Sequence, residues 1–250
     1  MKKWKIVFIV SLLLLVLGLV GLGFYLLMPL FSGEKKPEVG ESQPTVSAEQ
    51  QVELQDNPID FADLQTQNPD IYAWIRIPGT SVDYPVLRSN DKPEDFYLNH
   101  DIKGKYKFAG SIYSQMLNKA DFSDPNTILY GHNMNNGSMF ASLHKFRNAN
   151  FFKENKYIYI YTPGHILTYT IYSAYRYDNR HILYAFDFSD EQVFADYIEM
   201  TKKPKSTIVN VRQDVEVTPQ DRIITLSTCI TNDNYRYLVQ GVLTDDQPTK

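Results

Sequence analysis

Cysteine is almost absent from this chain: Cys229 is the single thiol in 250 residues. If the domain lies outside the cytoplasm, that thiol has no intrachain disulfide partner and must be explained as a free one. An excess of positive charge is missing too. Lys and Arg number 25 against 29 Asp and Glu, a formal net charge of −4, with no basic stripe for a nucleic acid to bind. No glycine-rich loop is arranged to cradle a phosphate, and no segment repeats. What is abundant is tyrosine, 18 of them in a 14% aromatic chain, which suits the pleated, half-wet faces of a sheet-rich fold. The 43% hydrophobic content is enough for one sizeable core.

Charge is also lacking from Ile6 to Phe31, directly after the basic Met1-Lys-Lys-Trp-Lys5. A run of that length can cross a hydrocarbon core of roughly 30 Å, so residues 6–31 are expected to be a transmembrane anchor. A cleavable signal peptide would have a shorter apolar region and a small-x-small cleavage site, and a buried core helix is the plain alternative. Lys2, Lys3 and Lys5 put residues 1–5 in the cytoplasm, against a weaker pull from Lys35 and Lys36. Residues 32–57, with Gly33, Pro37, Gly40 and Pro44, read as an extracellular tether unable to offset its ordering entropy by burial. The folded domain is expected over 58–250, on the outer side of a single-pass membrane protein.

Within that domain strand patterns dominate. Ala73–Ile77, Val82–Leu87, Phe108–Tyr113, Thr127–Tyr130, Tyr157–Tyr161, Ile166–Tyr172, Thr207–Val211 and a final pair around Cys229 suggest a mainly β fold, a closed or nearly closed barrel. Pro85 marks an edge or bulge in its strand. Short helices are expected at Pro58–Leu64 and Ser138–Phe146. A longer one starts from a capping box, Ser189-Asp-Glu-Gln192, and stops at Pro204.

The thiol sits at the end of one strand, Asp221–Cys229, and Arg236 opens the next, Tyr237–Leu243. Most free cysteines are small buried hydrophobes, but a strand-end thiol facing a guanidinium is in a setting that favours a thiolate. Five histidines compete as its base. His144 lies beside an apolar stripe, His165 follows a Pro-Gly turn and His181 reads as a loop residue. His132 follows the strand Ile128–Tyr130 and Gly131, which could supply a backbone conformation other residues avoid; His100, in Leu98-Asn-His-Asp101, is the rival.

Taken together, Leu129-Tyr-Gly-His-Asn-Met-Asn-Asn-Gly-Ser-Met-Phe140, Thr225-Leu-Ser-Thr-Cys229 and Arg236 resemble the sortases, the cysteine transpeptidases of Gram-positive surfaces, and among them class B. Trp74-Ile-Arg-Ile-Pro-Gly79, Asp83-Tyr-Pro-Val86, Tyr97–Asp101 and Ala109–Ile112 extend the similarity over about residues 60–243. The resemblance implies a closed eight-stranded barrel with an extra helix between late strands. It also implies Cys229 as nucleophile, His132 as acid/base partner and Arg236 as the group that stabilises the substrate carbonyl, with no cofactor or metal. Ser227 and Thr228 are weaker candidates for lining the groove of the substrate, a secreted protein with a C-terminal sorting signal cleaved after Thr. The acceptor is then an amine, either a pilin lysine in pilus assembly or a peptidoglycan cross-bridge in wall anchoring. The short Cys–Arg loop departs from longer-looped relatives and tips the expectation toward pili. No acidic residue is obviously placed to orient His132, and Asp233 reads more simply as a solvated charge. Thiolate and imidazolium are therefore expected together in only a fraction of molecules. A papain-type hydrolase and a binding barrel with an inert thiol are the competing readings.

Overall fold

Runs of Ile, Val, Thr and Tyr make nine strands among the described residues, 54–229 and 234–250 of the computed structural model. In chain order these are β1 (Ile71–Arg76), β2 (Asp83–Leu87), β3 (Ile112–Tyr113), β4 (Asn126–Tyr130), β5 (Tyr157–Thr162), β6 (His165–Asp178), β7 (Val209–Val211), β8 (Ile223–Cys229) and β9 (Tyr235–Pro248). The helices are α1 (Phe61–Gln67), α2 (Ala149–Glu154), α3 (Ile182–Ala185) and α4 (Glu191–Lys202). The expected tail 1–5, span 6–31 and most of the tether lie outside the described residues, as does Asp233. No helix among the described residues is long and apolar enough to cross a membrane.

Eight strands form a ring in the order β5-β1-β2-β3-β4-β8-β9-β6, and the β5–β6 hairpin closes it; β7 is added outside, on β6. Two pairs, β2–β3 and β4–β8, are parallel and the rest antiparallel. The closing turn is Pro163-Gly164, where Gly164 takes φ 89° at no steric cost. Inside the ring Ile75, Ile112, Leu129, Ile160, Ile224, Leu226 and Val239 form the main core. A second core lies outside the wall of β4, β8, β9 and β6, where α4 buries Phe194, Tyr197 and Ile198 against Ile128, Ile223, Leu238 and Val242.

The structure moves several expected boundaries. Only Ile112–Tyr113 of the expected Phe108–Tyr113 strand is extended, because Gly110 turns the chain at φ 59° and leaves Phe108 exposed. The Ser138–Phe146 helix is a 3-10 segment over Ala141–Arg147: Met139 sits at φ 56° and bridges back to Asn133, so winding cannot start before it. Leu143 and Phe146 are fully buried as the spacing requires. At α4 the cap is Asp190, accepting from the amides of Gln192 and Val193, while Ser189 is bonded to Asp187. The first helix starts at Phe61 behind an Asp60 cap. Gln55 pairs with Thr249, and the Asn57 side chain donates to Thr162 and Thr249, so ordered contacts begin before position 58. Pro85 is accommodated because β3 pairs only with Val86 and Leu87.

Candidate active site

Strand periodicity places the chemistry. Along β8, Ile223, Thr225, Ser227 and Cys229 share the outer face of the barrel wall, while Ile224, Leu226 and Thr228 share the inner one. Ser227 is level with Tyr130 of the parallel β4 and with Leu238 of β9. One step of the pleat further on, Cys229 is the register partner of Arg236, and Arg236 of Tyr177 on β6. Directly opposed residues of an antiparallel pair have Cβ atoms about 4.5–5.5 Å apart, so the thiol and the base of the guanidinium arm are neighbours. On the other side of β8, the parallel pairing continues past Tyr130 with the Gly131 amide donating to the Ser227 carbonyl at 3.2 Å. His132 therefore stands level with Cys229.

His132, Cys229 and Arg236, with Tyr130, Tyr177, Ser227 and Leu238, open onto one cleft of about 240 Å³. Its floor is apolar and aromatic, from Leu98, Tyr113, Tyr130, Tyr177, Ile182 and Leu238, and its rim carries His132, Cys229, Arg236, Arg180 and Asn179. Cys229, His132 and Arg236 are each partly exposed, so the thiol is not sealed in the core. Burial pushes the Tyr113 phenol up; the thiol and Arg236 act on it with opposite signs, and it stays neutral beside both. Ser227 belongs to the cleft face. Thr228 borders the cleft as well, but alternation turns its side chain inward, where Oγ1 is buried without a partner among the described residues. No His, Cys, Asp or Glu cluster among those residues could hold a metal.

Gly131 is required by space, not by the unusual backbone expected of it: its φ is not positive, but a Cβ there would sit 2.5 Å from Ile112 Cδ1 and 2.9 Å from the Phe140 ring. Nothing among the described residues hydrogen-bonds the His132 ring. Its plane is set by stacking on Phe108, with centroids 5.4 Å apart and 17° between planes. His100 does not line this cleft. It stacks on Phe96 at 3.8 Å, and Nδ1 lies 2.7 Å from the Phe96 carbonyl.

Two histidines that the sequence pattern left as packing or loop residues do reach the site. His181 caps α3, lines the cleft and bonds through Nε2 to Gln115 Oε1 at 2.7 Å. His144, in the 3-10 segment, places Nε2 3.0 Å from the carbonyl oxygen of Cys229. Burial lowers the pKa of both below the ordinary 6.5; Arg147 adds to the effect at His144, and Glu94 opposes it at His181. In the unfolded chain both take up protons at a higher pH than they do in the fold, so stability falls as pH drops from about 7 through that window. Replacing both with glutamine is expected to flatten the loss of urea-unfolding free energy between about pH 7 and 5. An unchanged acid slope would refute that assignment.

Comparison with known proteins matches the geometry. A model of the Sortase domain matches residues 75–244. Sortase B of Listeria monocytogenes serovar 1/2a is 37% identical over 189 residues, covering 74% of this chain and 74% of its own length. Among solved structures, a Staphylococcus aureus sortase B–substrate complex is similar with a TM-score of 0.64 and 31% identity, covering 74% of this chain and 84% of that one. A sortase B complexed with triglycine is similar with a TM-score of 0.65 and 32% identity, covering 74% of this chain and 85% of that one.

Proposed function

Because this chain belongs to the sortase family, and is a cysteine transpeptidase of the class B kind, we propose that Cys229, His132 and Arg236 carry out its acyl transfer on the C-terminal sorting signals of secreted proteins. One observation carries the reading: Cys229 and Arg236, opposed on β8 and β9, and His132, from the distant segment that follows β4, open onto one cleft.

The Cys229 thiolate attacks the carbonyl carbon of the Thr before the scissile bond. Negative charge moves onto the carbonyl oxygen, where Arg236, fixed by its register opposite Cys229, stabilises it. A donor of this kind contributes about 3–4 kcal/mol to the transition state. The tetrahedral intermediate collapses as the C–N bond breaks, and the His132 imidazolium gives its proton to the departing amine. A thioester remains. A second amine then attacks it, His132 takes the proton that amine loses, and the thiolate is released. Relative to an oxygen ester, a thioester prefers amines over water, which lets so open a cleft join two chains.

A sorting-signal substrate and an amine acceptor are supported by the relatives solved with substrate and with triglycine. The acceptor is a pilin lysine if the enzyme builds pili, or a cross-bridge amine if it anchors single proteins to the wall. The apolar run 6–31 supports a membrane anchor for the catalytic domain on the outer face, with the tether raising its effective concentration where substrates emerge. The test is to incubate the enzyme with a sorting-signal peptide library together with triglycine and a lysine peptide, and to read products by mass spectrometry. Ligated product is expected to exceed hydrolysed product, and the preferred amine identifies the acceptor. Predominant hydrolysis would favour a peptidase. The pH dependence of kcat/KM is expected to be bell-shaped, since one group must be deprotonated and the other protonated; a single ionisation step would contradict the pairing.

A further inference from the structure

The segment that follows the catalytic loop in the fold carries a histidine the mechanism does not use. His144 lies in the 3-10 segment Ala141–Arg147, which directly continues the loop after His132. That loop is closed on itself: the Phe140 amide donates to the His132 carbonyl at 2.9 Å, and Asn133 bridges Met139. One turn later His144 places Nε2 3.0 Å from the carbonyl oxygen of Cys229. A carbonyl can only accept, so Nε2 carries the proton. One short segment thus holds the backbone carbonyls of both residues assigned above to the reaction.

The setting is not one that stability alone would select. The imidazole lies 5.1 Å from the Tyr237 ring, and Nδ1 is buried without a hydrogen-bond partner among the described residues. A buried acceptor left unpaired costs stability that an aliphatic side chain of similar size would not. What the imidazole supplies in return is a donor aimed at the last residue of β8. The orientation of that carbonyl restrains ψ of Cys229, and with it the direction of the Cα–Cβ bond that carries the thiol.

Resting on the assignment of Cys229 as nucleophile, we propose that His144 is a positioning residue, whose hydrogen bond to the Cys229 carbonyl fixes the thiol relative to His132. The test compares His144→Met, which fills the space without a donor, with His144→Gln, whose amide N–H has comparable reach. In full-length enzyme His144→Met is expected to lower kcat about 30-fold with KM within about threefold, as for a small misplacement of reacting groups. Its Cys229 is expected to react correspondingly more slowly with iodoacetamide. His144→Gln is expected to recover kcat to within about fivefold of the parent, at whatever melting temperature each variant shows. Cys229→Ala is run alongside. If it is inactive while His144→Met keeps the parent kcat, or while Gln falls as far as Met, the positioning role is overturned alone. If Cys229→Ala still ligates, the nucleophile assignment falls and this role with it.

Discussion

Cys229→Ala is expected to lower ligation of a sorting-signal peptide to an amine by about 10⁴-fold or more, with the thermal midpoint almost unchanged. The thiol is partly exposed at the end of β8, so its removal opens no fully buried cavity. His132→Ala is expected to fall nearly as far, and the double variant no further, since the two groups act as one unit whose losses do not add. Arg236→Ala is expected to lose about 10²–10³-fold, mostly in kcat, because its charge is needed most when the oxyanion forms. Steady-state kinetics on the four proteins decides the matter. An Arg236 variant with normal kcat and a raised KM would place the guanidinium in substrate docking instead. If iodoacetamide alkylates Cys229 no faster than free cysteine, the reading as a binding barrel with an inert thiol gains.

The second large effect is on stability. Gly110 has φ 59°, and a Cβ there would collide with the carbonyl of Leu98, 2.6 Å from its carbon, as well as with Tyr97 O at 2.6 Å. These are backbone atoms that cannot rotate away. Gly104 has a similar φ, 69°, but open space around it. Gly104→Ala therefore carries only the backbone strain, about 1 kcal/mol, and Gly110→Ala carries strain plus collision, about 3 kcal/mol or more. For a domain of this size the latter corresponds to a fall of roughly 6–12 °C in Tm. Because Leu98 lines the cleft, activity is expected to fall in Gly110→Ala below its melting range as well. Equal melting temperatures for the two variants would show that the collision is relieved.

The two variants also show where sequence reasoning stopped. The β8–β9 pair was legible because Ile, Thr, Leu and Val alternate on both sides of a short polar loop, and the pairing then follows from one register. The closed ring followed from the number of strand runs, and the choice of His132 as the partner of Cys229 from the family resemblance of the segments carrying them. What could not be read were the side-chain contacts made where particular distant residues meet. Phe108 looked like a strand residue, yet it lies exposed against His132 because of a turn at Gly110. Gly131 looked like a conformational requirement and is a spatial one, set by Ile112 and Phe140. Nothing in the periodicity around His144 signals a bond to a carbonyl 85 positions away. His181 looked like a loop residue, and only folding brings it to Gln115.

The parallel pairing of β4 with β8 has a consequence for how this enzyme comes into being. His132 and Cys229 are separated by roughly a hundred positions, and no local hairpin can unite them; β5, β6, β7 and α4 lie between them in the chain, so their meeting is a long-range contact of the kind that forms slowly. A chain emerging from its amino end displays the imidazole long before the sulfur, and a fragment cut short before β8 lacks the second half of the couple altogether. Competence is thus conferred by the final strands to arrive, and in a refolding time course peptide ligation is expected to return with the slowest phase, after tyrosine fluorescence has already recovered.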